Sequence, residues 1–498
     1  MFLSTVNGPY PTPVTLSPRT PVLVGRSQVV LPHPRAEEPN QPVDLMIDAV
    51  RAALADAGLA GSNIDLIGVC NGLFSHPNPG QVIGRAVGAP ECASVLTTWG
   101  GNTPVAFIAE LGDRIRRGDL DVAVMVGGEA NASRDELRKA GRDRPKPADH
   151  PADDPPEAWG APLIMDAPID RERGGDLPRN TYAVFESILR AAANETLDAS
   201  RDLAATLWEG YASVAASNPD LPPTPAASAA EIRNPSATNR MVAWPYTKAM
   251  CANNRVDQAG AVILTSLEAA QRLGLAPEQA VYLHGTVTAA DTDVLLTRAA
   301  LPSVPGLDAA VNAVTHRWGP INDFDHIDLY GCFPSIVRYS TAVMGVDRTR
   351  PLTVSGGLGF MGAPLNFAAG QSLIAMIRQL RNNPGAMGLV QGNGGHTAKH
   401  ALGVFSTTPP DQMADITNFD HSRPVVPRAD PDLTGAGTVE GVTVEYGHHG
   451  PERLVAIARS NDGGRLWVTS TDPEAMTAAT SRELIGAEVH LERGIVYL

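Results

Sequence analysis

The sequence has little of what builds disulfide frameworks, zinc sites or membrane spans. Its 498 residues include four cysteines, and no two of them form a C-x-x-C pair: Cys70, Cys92, Cys251 and Cys332. Neither a disulfide framework nor a cysteine zinc site is therefore predicted. No run of about 18 apolar residues occurs, which predicts no membrane-spanning helix. The first 20 residues carry four prolines and no apolar signal-peptide core, so we expect a cytoplasmic protein.

Basic residues are also in deficit. Lys and Arg number 39 against 54 Asp and Glu, which gives a net charge of −15. An acidic chain is poorly suited to nucleic acid or to an anionic membrane surface, so neither partner is predicted. Hydrophobic residues make up 43% of the chain and charged residues 19%, a balance typical of globular proteins. The length allows two to four domains.

Common catalytic and cofactor motifs are missing as well. No G-x-S-x-G elbow and no Walker A loop occur, so nothing indicates a serine hydrolase or a P-loop enzyme. Residues 357–362 fit G-x-G-x-x-G, but no Asp or Glu lies between 348 and 410, where a dinucleotide site needs an acid for the ribose. His396 and His400 are four residues apart, yet Thr397 stands where a zinc protease has Glu. We therefore predict no metal and no cofactor, and interpret the glycines as a tight turn close to a ligand.

Strand and helix signals alternate along both halves of the chain, which predicts an α/β fold with a duplicated core. In the first half we predict strands at 21–25, 64–69, 94–98 and 121–126, helices at 43–57 and 104–117, and helical structure from 179 to 216. In the second half we predict strands at 281–286, 326–330, 352–355, 387–391 and 402–406, and a helix at 365–380. The duplication is inferred from element order alone, because the halves share little sequence.

Two regions depart from this alternation. Residues 142–175 are rich in proline, which predicts a surface excursion or lid. Residues 437–498 carry short alternating strands, predicted at 438–446, 453–459, 466–470 and 488–491, and one short helix at 473–480, the pattern of a small β-barrel. We predict an N-terminal half over 1–270 with a proline-rich loop region at about 130–240, a C-terminal half over 271–408, a linker over 409–432 and a barrel domain over 433–498.

One cysteine stands where chemistry is common in α/β folds. Cys332 follows the strand predicted to end at Tyr330, and ligands of such folds gather at strand ends. Cys92 precedes a strand instead, away from a helix start that would lower its pKa, so we interpret it as structural.

Five segments together resemble the thiolase superfamily over about residues 19–408, nearest to sterol-carrier-type thiolases and thiolase-like proteins. They are Gly127-Gly128-Glu129, Trp244-Pro245-Tyr246-Thr247-Lys248, Asp257-Gln258-Ala259-Gly260-Ala261-Val262, Asp328-Leu329-Tyr330-Gly331-Cys332-Phe333, and Gly356-Gly357 running to Gly362-Ala363-Pro364. The resemblance implies a layered α/β/α/β/α core and a coenzyme A thioester as ligand. The C-terminal barrel is similar to the OB-fold added to some thiolase-like proteins.

The positions that carry thiolase chemistry are altered. Thiolases acylate a cysteine at a helix start, whereas the equivalent turn here, 97–104, has none. The family's Gly-His-Pro, which supplies a base, is Gly362-Ala363-Pro364, and its second cysteine falls in 391–396, which reads Gln-Gly-Asn-Gly-Gly-His. The oxyanion motif is Tyr330-Gly331-Cys332-Phe333. Loss of nucleophile and base removes the covalent step. The resemblance therefore implies a protein that binds an acyl-CoA or lipid thioester, with acyl-cysteine Claisen condensation lost.

The expected site combines glycine-rich turns with three reactive side chains. We expect substrate contacts from Trp99, Gly100, Gly101, Asn253, Gly357, Gly362, Ala363, Gly394 and Gly395. The candidate catalytic residues are Tyr330, Cys332 and His396. Some thiolase relatives are aldolases that use a tyrosine at the position of Tyr330 and work with an OB-fold partner.

Two alternative functions stay open. One is a cysteine-independent acyltransferase or retro-aldol lyase on CoA thioesters that uses Tyr330. The other is a non-catalytic scaffold for lipid-metabolising enzymes, which bulky side chains filling the cavity, Trp99 first, would favour. Besides the small-molecule ligand, the resemblance implies a homodimer or a partner enzyme.

Overall fold

The computed structural model describes residues 16–31, 37–145, 154–162, 168–411 and 416–498. Most of the N-terminal segment expected to lack a signal peptide, parts of the proline-rich stretch 142–175 and residues 412–415 of the expected linker lie outside the described residues. The helices that are described include none long and apolar enough to cross a membrane.

The first half of the chain supplies eight strands and nine helices among the described residues. The strands are β1 (Pro21–Leu31), β2 (Leu66–Val69), β3 (Ala93–Thr97), β4 (Val122–Ala130), β5 (Glu157–Trp159), β6 (Met241–Ala243), β7 (Tyr246–Thr247) and β8 (Asp257–Ser266). The helices are α1 (Pro42–Ala57), α2 (Pro79–Val87), α3 (Thr103–Arg117), α4 (Asn131–Lys139), α5 (Pro168–Glu172), α6 (Pro178–Ala192), α7 (Leu197–Ser217), α8 (Ala229–Arg233) and α9 (Leu267–Arg272).

The remainder of the described chain forms the second half and the barrel. Its strands are β9 (Val281–Asp291), β10 (His326–Asp328), β11 (Met387–Gly394), β12 (Lys399–Ser406), β13 (Thr417–His421), β14 (Thr434–Tyr446), β15 (Pro451–Ser460), β16 (Arg465–Ser470), β17 (Glu488–Glu492) and β18 (Ile495–Tyr497). Its helices are α10 (Pro305–Trp318), α11 (Pro334–Met344), α12 (Gly357–Phe360), α13 (Ala368–Asn382) and α14 (Pro473–Ser481).

The core is duplicated, as the element order predicted. In the first half β2 and β3 run parallel to β4, which pairs antiparallel with β8 and, through it, β1. In the second half β10 runs parallel to β11, which pairs antiparallel with β12 and, through it, β9. The two half-sheets touch through only two residue pairs, Val22 with Tyr282 and Leu23 with Val281. The fold is therefore the mixed α/β thiolase-like architecture.

Helices α3 and α13 lie between the half-sheets and form the central layer. Each contacts strands of both halves, while α1 covers the outer face of the first half and α10 that of the second. A proline in the first turn of α3 and the left-handed Gly118 (φ 84°) after it fix its two ends. The helix is apolar on several faces, as a helix buried on both sides must be. Phe107 packs so closely on β2 that a Cβ at Gly68 would lie 2.2 Å from its ring.

Three short segments differ from the sequence prediction. Residues 352–355 are not a strand, because their backbone bonds to a side chain instead: the N–H groups of Val354 and Ser355 donate to the buried Asp328 carboxylate. Strand β5 arises within the proline-rich stretch and pairs with β3. Strand β13 arises within the expected linker and pairs with β9. Both are short edge strands with exposed side chains, so hydrophobic alternation does not mark them.

The C-terminal strands close into a five-stranded barrel in the order β15-β16-β18-β17-β14, with β14 returning to β15. The four barrel strands predicted at 438–446, 453–459, 466–470 and 488–491 are confirmed, as is the helix, now α14. Strand β6 extends the barrel sheet through the pair Glu445–Ala243. The buried Arg173 donates to the carbonyls of Trp467 and Pro431, so the barrel is fastened to the core by polar contacts as well.

Candidate functional site

A cavity of about 950 Å³ opens where α3 begins and where β10 and β11 end. That volume lies in the range of small-molecule sites. Its wall is mainly apolar, and it is lined by Asn71, Leu96, Thr97, Thr98, Trp99, Gly100, Gly101, Pro156, Ala158, Pro162, Pro178, Arg179, Tyr182, Val242, Cys251, Ala252, Asn254, Tyr330, Cys332, Phe333, Leu358, Ala363, Leu365, Asn366, Asn393, Gly394, Gly395 and His396.

The structure brings most of the residues singled out from the sequence to this cavity. They are Trp99, Gly100, Gly101, Tyr330, Cys332, Ala363, Gly394, Gly395 and His396. Three others lie outside the lining. Gly357 (φ 69°) packs on the Tyr211 ring and Gly362 (φ 95°) on the Gln258 amide. Asn253 is exposed, and only its neighbours Ala252 and Asn254 face the cavity. Trp99 is 39% exposed, so it stands at the opening and leaves the interior unfilled.

Gly101, two residues before the start of α3, has no room for a side chain. A Cβ at Gly101 would lie 2.4 Å from the Tyr330 hydroxyl and 2.3 Å from the Asn393 carbonyl oxygen. Tyr330 therefore brings its phenol to the helix end, where the dipole favours negative charge. A nucleophilic side chain at Gly101 and the present position of Tyr330 exclude each other.

The neighbouring backbone donor is already in use. The Gly100 N–H donates to Asn366 Oδ1 at 2.9 Å, and Asn366 Nδ2 donates to the Asn71 carbonyl at 2.9 Å. Gly394 packs against the same turn, because its Cβ would lie 2.9 Å from both Asn102 Oδ1 and the Gly101 nitrogen. The glycines therefore allow two backbone segments to approach closely. The Gly100 N–H is bonded to Asn366 and does not face a ligand.

Cys332 lies just before the first turn of α11. The Tyr182 hydroxyl and the Phe333 N–H both act to lower the pKa of its thiol. Asn393 Nδ2 in turn donates to the Tyr182 oxygen at 2.9 Å. Burial nevertheless raises the pKa of Cys332 to about 12. The thiol is thus protonated near neutral pH, although it sits at a helix start.

His396 stands at the tip of the β11–β12 hairpin, in the turn 395–398. His396 and Thr397 both have left-handed backbone (φ 51° and 62°), and Arg298 Nη1 donates to Thr397 Oγ1 at 3.0 Å. Burial, with the charge of Arg298 adding to it, lowers the pKa of His396 to about 3. Within the described part of the chain, His396 Nε2 and Asn393 Oδ1 are buried without a hydrogen-bond partner. The inner end of the cavity therefore offers neutral polar atoms to a ligand.

Two further residues singled out from the sequence, His400 and Tyr330, complete the description of this region. His400 turns to the Thr397 carbonyl at 3.0 Å and to Asp291 at 3.5 Å. The described residues contain no group of three side chains able to hold a metal ion. Burial also raises the pKa of Tyr330 above its ordinary value, so its phenol can donate a proton or a hydrogen bond but is a poor source of phenolate.

Sequence reasoning missed several lining residues. Tyr182 belongs to a helix far from every quoted motif, and Asn366 links the Gly100 N–H to the Asn71 carbonyl by two hydrogen bonds. Arg179, at the start of α6, comes from the loop region, and Cys251 follows that region in the chain. Only tertiary packing unites them, so no spacing in the sequence marks them.

Comparison with known proteins places this site in context. Residues 420–494 match the family model described as the thiolase-like protein type 1 additional C-terminal domain. A search of curated proteins found no match.

Three solved structures resemble the chain. The crystal structure of a monomeric SCP2-thiolase like protein type 1 from Mycobacterium smegmatis is 27% identical, covers 97% of this chain and 100% of its own, and gives a TM-score of 0.81. An acetyl-CoA acetyltransferase from Syntrophomonas wolfei is 17% identical over 78% of this chain and 99% of its own, with a TM-score of 0.57. An Ltp2-ChsH2(DUF35) aldolase is 16% identical over 78% of this chain and 98% of its own, also at 0.57.

The duplicated core is thus the fold of thiolases and thiolase-like proteins. Over nearly its full length the chain is similar to a thiolase-like protein of type 1, and its residues 420–494 match the C-terminal domain that is added in that group.

Proposed function

We propose that the protein binds an acyl-CoA or related lipid thioester in this cavity and forms no acyl-cysteine at the start of α3. The observation that carries the proposal is the close approach of the Tyr330 hydroxyl to Gly101, because it leaves no room for a side chain at one of the positions, 99–101, where a thiolase nucleophile is expected, while the cavity beyond stays open. The name of the acetyl-CoA acetyltransferase among the similar structures supports a thioester as the ligand class.

The chemistry of the wall fits such a ligand. Apolar side chains such as Leu96, Phe333 and Leu358 surround space suited to an acyl chain. Tyr330, His396 and Asn393 then offer uncharged polar atoms at the inner end, where a thioester carbonyl can be held by hydrogen bonds.

Calorimetric titration with octanoyl-CoA tests the proposal. We expect saturable binding, weakened about fivefold by Trp99→Ala, because that indole contributes apolar contact at the opening. Trp318→Ala is the matched control, since Trp318 is a partly buried tryptophan outside the cavity lining. Absence of heat and of any thermal stabilisation by octanoyl-CoA would refute the proposal and leave the scaffold as the better account.

A lyase or acyltransferase that uses Tyr330 is the second candidate. It is favoured by the position of the phenol at the helix start, where it can donate to a carbonyl oxygen. A retro-aldol step also needs a base, and the lowered pKa of His396 makes its imidazole a weak one. Turnover of a β-hydroxyacyl-CoA that falls at least about 100-fold in Tyr330→Phe would support this candidate; equal turnover in both proteins would remove it.

For the oligomeric state we propose a monomer, whereas the sequence left a homodimer or a partner enzyme open. Strand β5 covers the edge of β3 through the pairs Val95–Glu157 and Thr97–Trp159. A three-residue edge strand carrying an exposed glutamate is a poor template for pairing with another chain. Light scattering at a mass near 52 kDa agrees with this proposal, and a mass near twice that value contradicts it.

A further inference from the structure

The C-terminal barrel supports one wall of the cavity, although none of its described residues lines it. Val242, which lines the cavity, belongs to β6, and β6 joins the barrel sheet through the pair Ala243–Glu445. The backbone N–H of Trp244 also donates to the Val444 carbonyl at 2.9 Å. One sheet therefore runs from the barrel into the cavity wall.

Positive charge collects at the opening of the cavity. Arg179 is the one cation among the cavity-lining residues that the structure describes, and its side chain is 40% exposed. Its Nη2 donates to Glu445 Oε1 at 2.6 Å, and Arg453 Nε donates to Glu445 Oε2 at 2.6 Å. Arg240 Nη1 donates to the Tyr446 carbonyl at 3.2 Å. Three guanidinium groups therefore bond to two consecutive barrel residues, of which Glu445 supplies a single buried carboxylate, in a chain whose net charge is −15.

A second observation ties these charges to the cavity. Burial raises the pKa of the cavity-lining Cys251 to about 12, and the charges of Arg179 and Arg240 act against that rise. Both guanidinium groups thus lie close enough to the wall to act on a thiol inside it. The inner end of the cavity, in contrast, is neutral around Tyr330 and His396.

We propose that Arg179, held in place by Glu445 of the barrel, binds a phosphate group on the arm of the thioester ligand. The added domain is then part of the ligand site. This inference rests on the proposed function and assigns the specificity of the same cavity.

The geometry of the guanidinium suits this role. Glu445 engages Nη2, and the described residues supply no hydrogen-bond acceptor for Nε or Nη1 of Arg179. Either of these N–H donors can give one charge-assisted hydrogen bond to a phosphate oxygen. Glu445 is a positioning residue, because its bond to Nη2 holds the guanidinium while the Arg179 side chain stays 40% exposed.

The experiment compares octanoyl-CoA with octanoyl-pantetheine, which lacks the adenosine and the phosphate groups of CoA, by calorimetry on the full chain, and the Arg179 variants identify the part of the difference that comes from phosphate. We expect the wild-type protein to bind octanoyl-CoA about tenfold more tightly, the effect of one charge-assisted contact. Arg179→Gln removes that preference and leaves octanoyl-pantetheine binding unchanged. Arg179→Lys keeps part of it, because the charge remains. Glu445→Gln reduces the preference for octanoyl-CoA about threefold, because the Arg179 guanidinium is no longer held in one position.

Glu483→Gln is the control for the barrel contact as such. It breaks the ion pair with Arg190, another link between barrel and core, and neither residue lines the cavity. The preference should remain unchanged. Added salt should shrink the wild-type preference by screening the exposed contact.

Equal affinity of the wild-type protein for both probes would overturn the inference while the proposed function stands. The inference also fails if Arg179→Gln weakens both probes alike, or if Glu483→Gln matches Glu445→Gln. Failure of both probes to bind the wild-type protein would overturn the proposed function, and this inference with it.

Discussion

Two helix starts face the same cavity, and they differ in what they present to it. The turn before α3 has glycine at 100 and 101, with the Tyr330 hydroxyl filling the space beside Gly101. The turn before α11 has a thiol, Cys332, whose pKa the Tyr182 hydroxyl and the Phe333 N–H act to lower. Yet burial raises the pKa of that thiol to about 12. A helix end therefore activates a thiol only when its stabilisation of the thiolate exceeds the rise in pKa that burial causes.

The largest expected effect comes from placing a side chain at the α3 start. Gly101→Cys forces its Cβ against the Tyr330 hydroxyl, so we expect unfolding free energy to fall by about 3 kcal/mol, as for overpacked cores. Urea denaturation measures it. In Gly101→Cys combined with Tyr330→Ala the loss should be smaller than the sum of the single losses, because the clash with the Tyr330 hydroxyl is gone and only the clash with the Asn393 carbonyl oxygen remains. Simple additivity would show that the two residues do not exclude each other.

A smaller effect concerns the neutral histidine beside both helix starts. The pKa of His396 is lowered by burial from 6.5 to about 3, so its contribution to stability is present above pH 6.5 and is lost as the pH falls toward 3. Between pH 7 and pH 5 the wild-type protein should lose about 2 kcal/mol more than His396→Gln, at 1.36 kcal/mol per pH unit. Denaturation at the two pH values measures this difference. Identical losses would mean that His396 titrates normally in the folded chain.

The smallest expected effect concerns the reactivity of Cys332 at the start of α11. Below a pKa of about 12 the alkylation rate of Cys332 should rise with pH through 10 without a plateau. Tyr182→Phe should slow it about threefold, because the hydroxyl donor no longer stabilises the thiolate. Peptide mapping after iodoacetamide treatment follows the rate at this cysteine. A plateau below pH 8 would reveal an activated thiol and erase the contrast between the two helix starts.

Much of the fold could be predicted from the sequence because the elements are locally encoded. Helix α1, for instance, was expected at 43–57 from its apolar face and Gly58, and it spans Pro42–Ala57 with that glycine left-handed. The barrel strands were found from their alternation. Strands β5 and β13 were not predicted because short exposed edge strands show no alternation of hydrophobic and polar residues. Residues 352–355 were wrongly predicted as a strand because their backbone bonds to the Asp328 carboxylate.

The site could be predicted only where a motif marks it. Trp99 through Gly101, Tyr330 and His396 were found from their motifs and meet in one cavity. Tyr182 and Arg179 depend on how α6 packs, and Gly357 and Gly362 serve packing against Tyr211 and Gln258 instead of the cavity lining. A glycine motif indicates that the backbone packs closely against another group, but it does not identify that group.

The central claim is that the cavity holds a thioester without a covalent acyl step. Intact-protein mass spectrometry after incubation with octanoyl-CoA, run beside the calorimetric titration, tests it most directly. We predict saturable binding and an unchanged protein mass. A mass increase equal to one octanoyl group, mapped to Cys332 or any other cavity residue, would contradict the account.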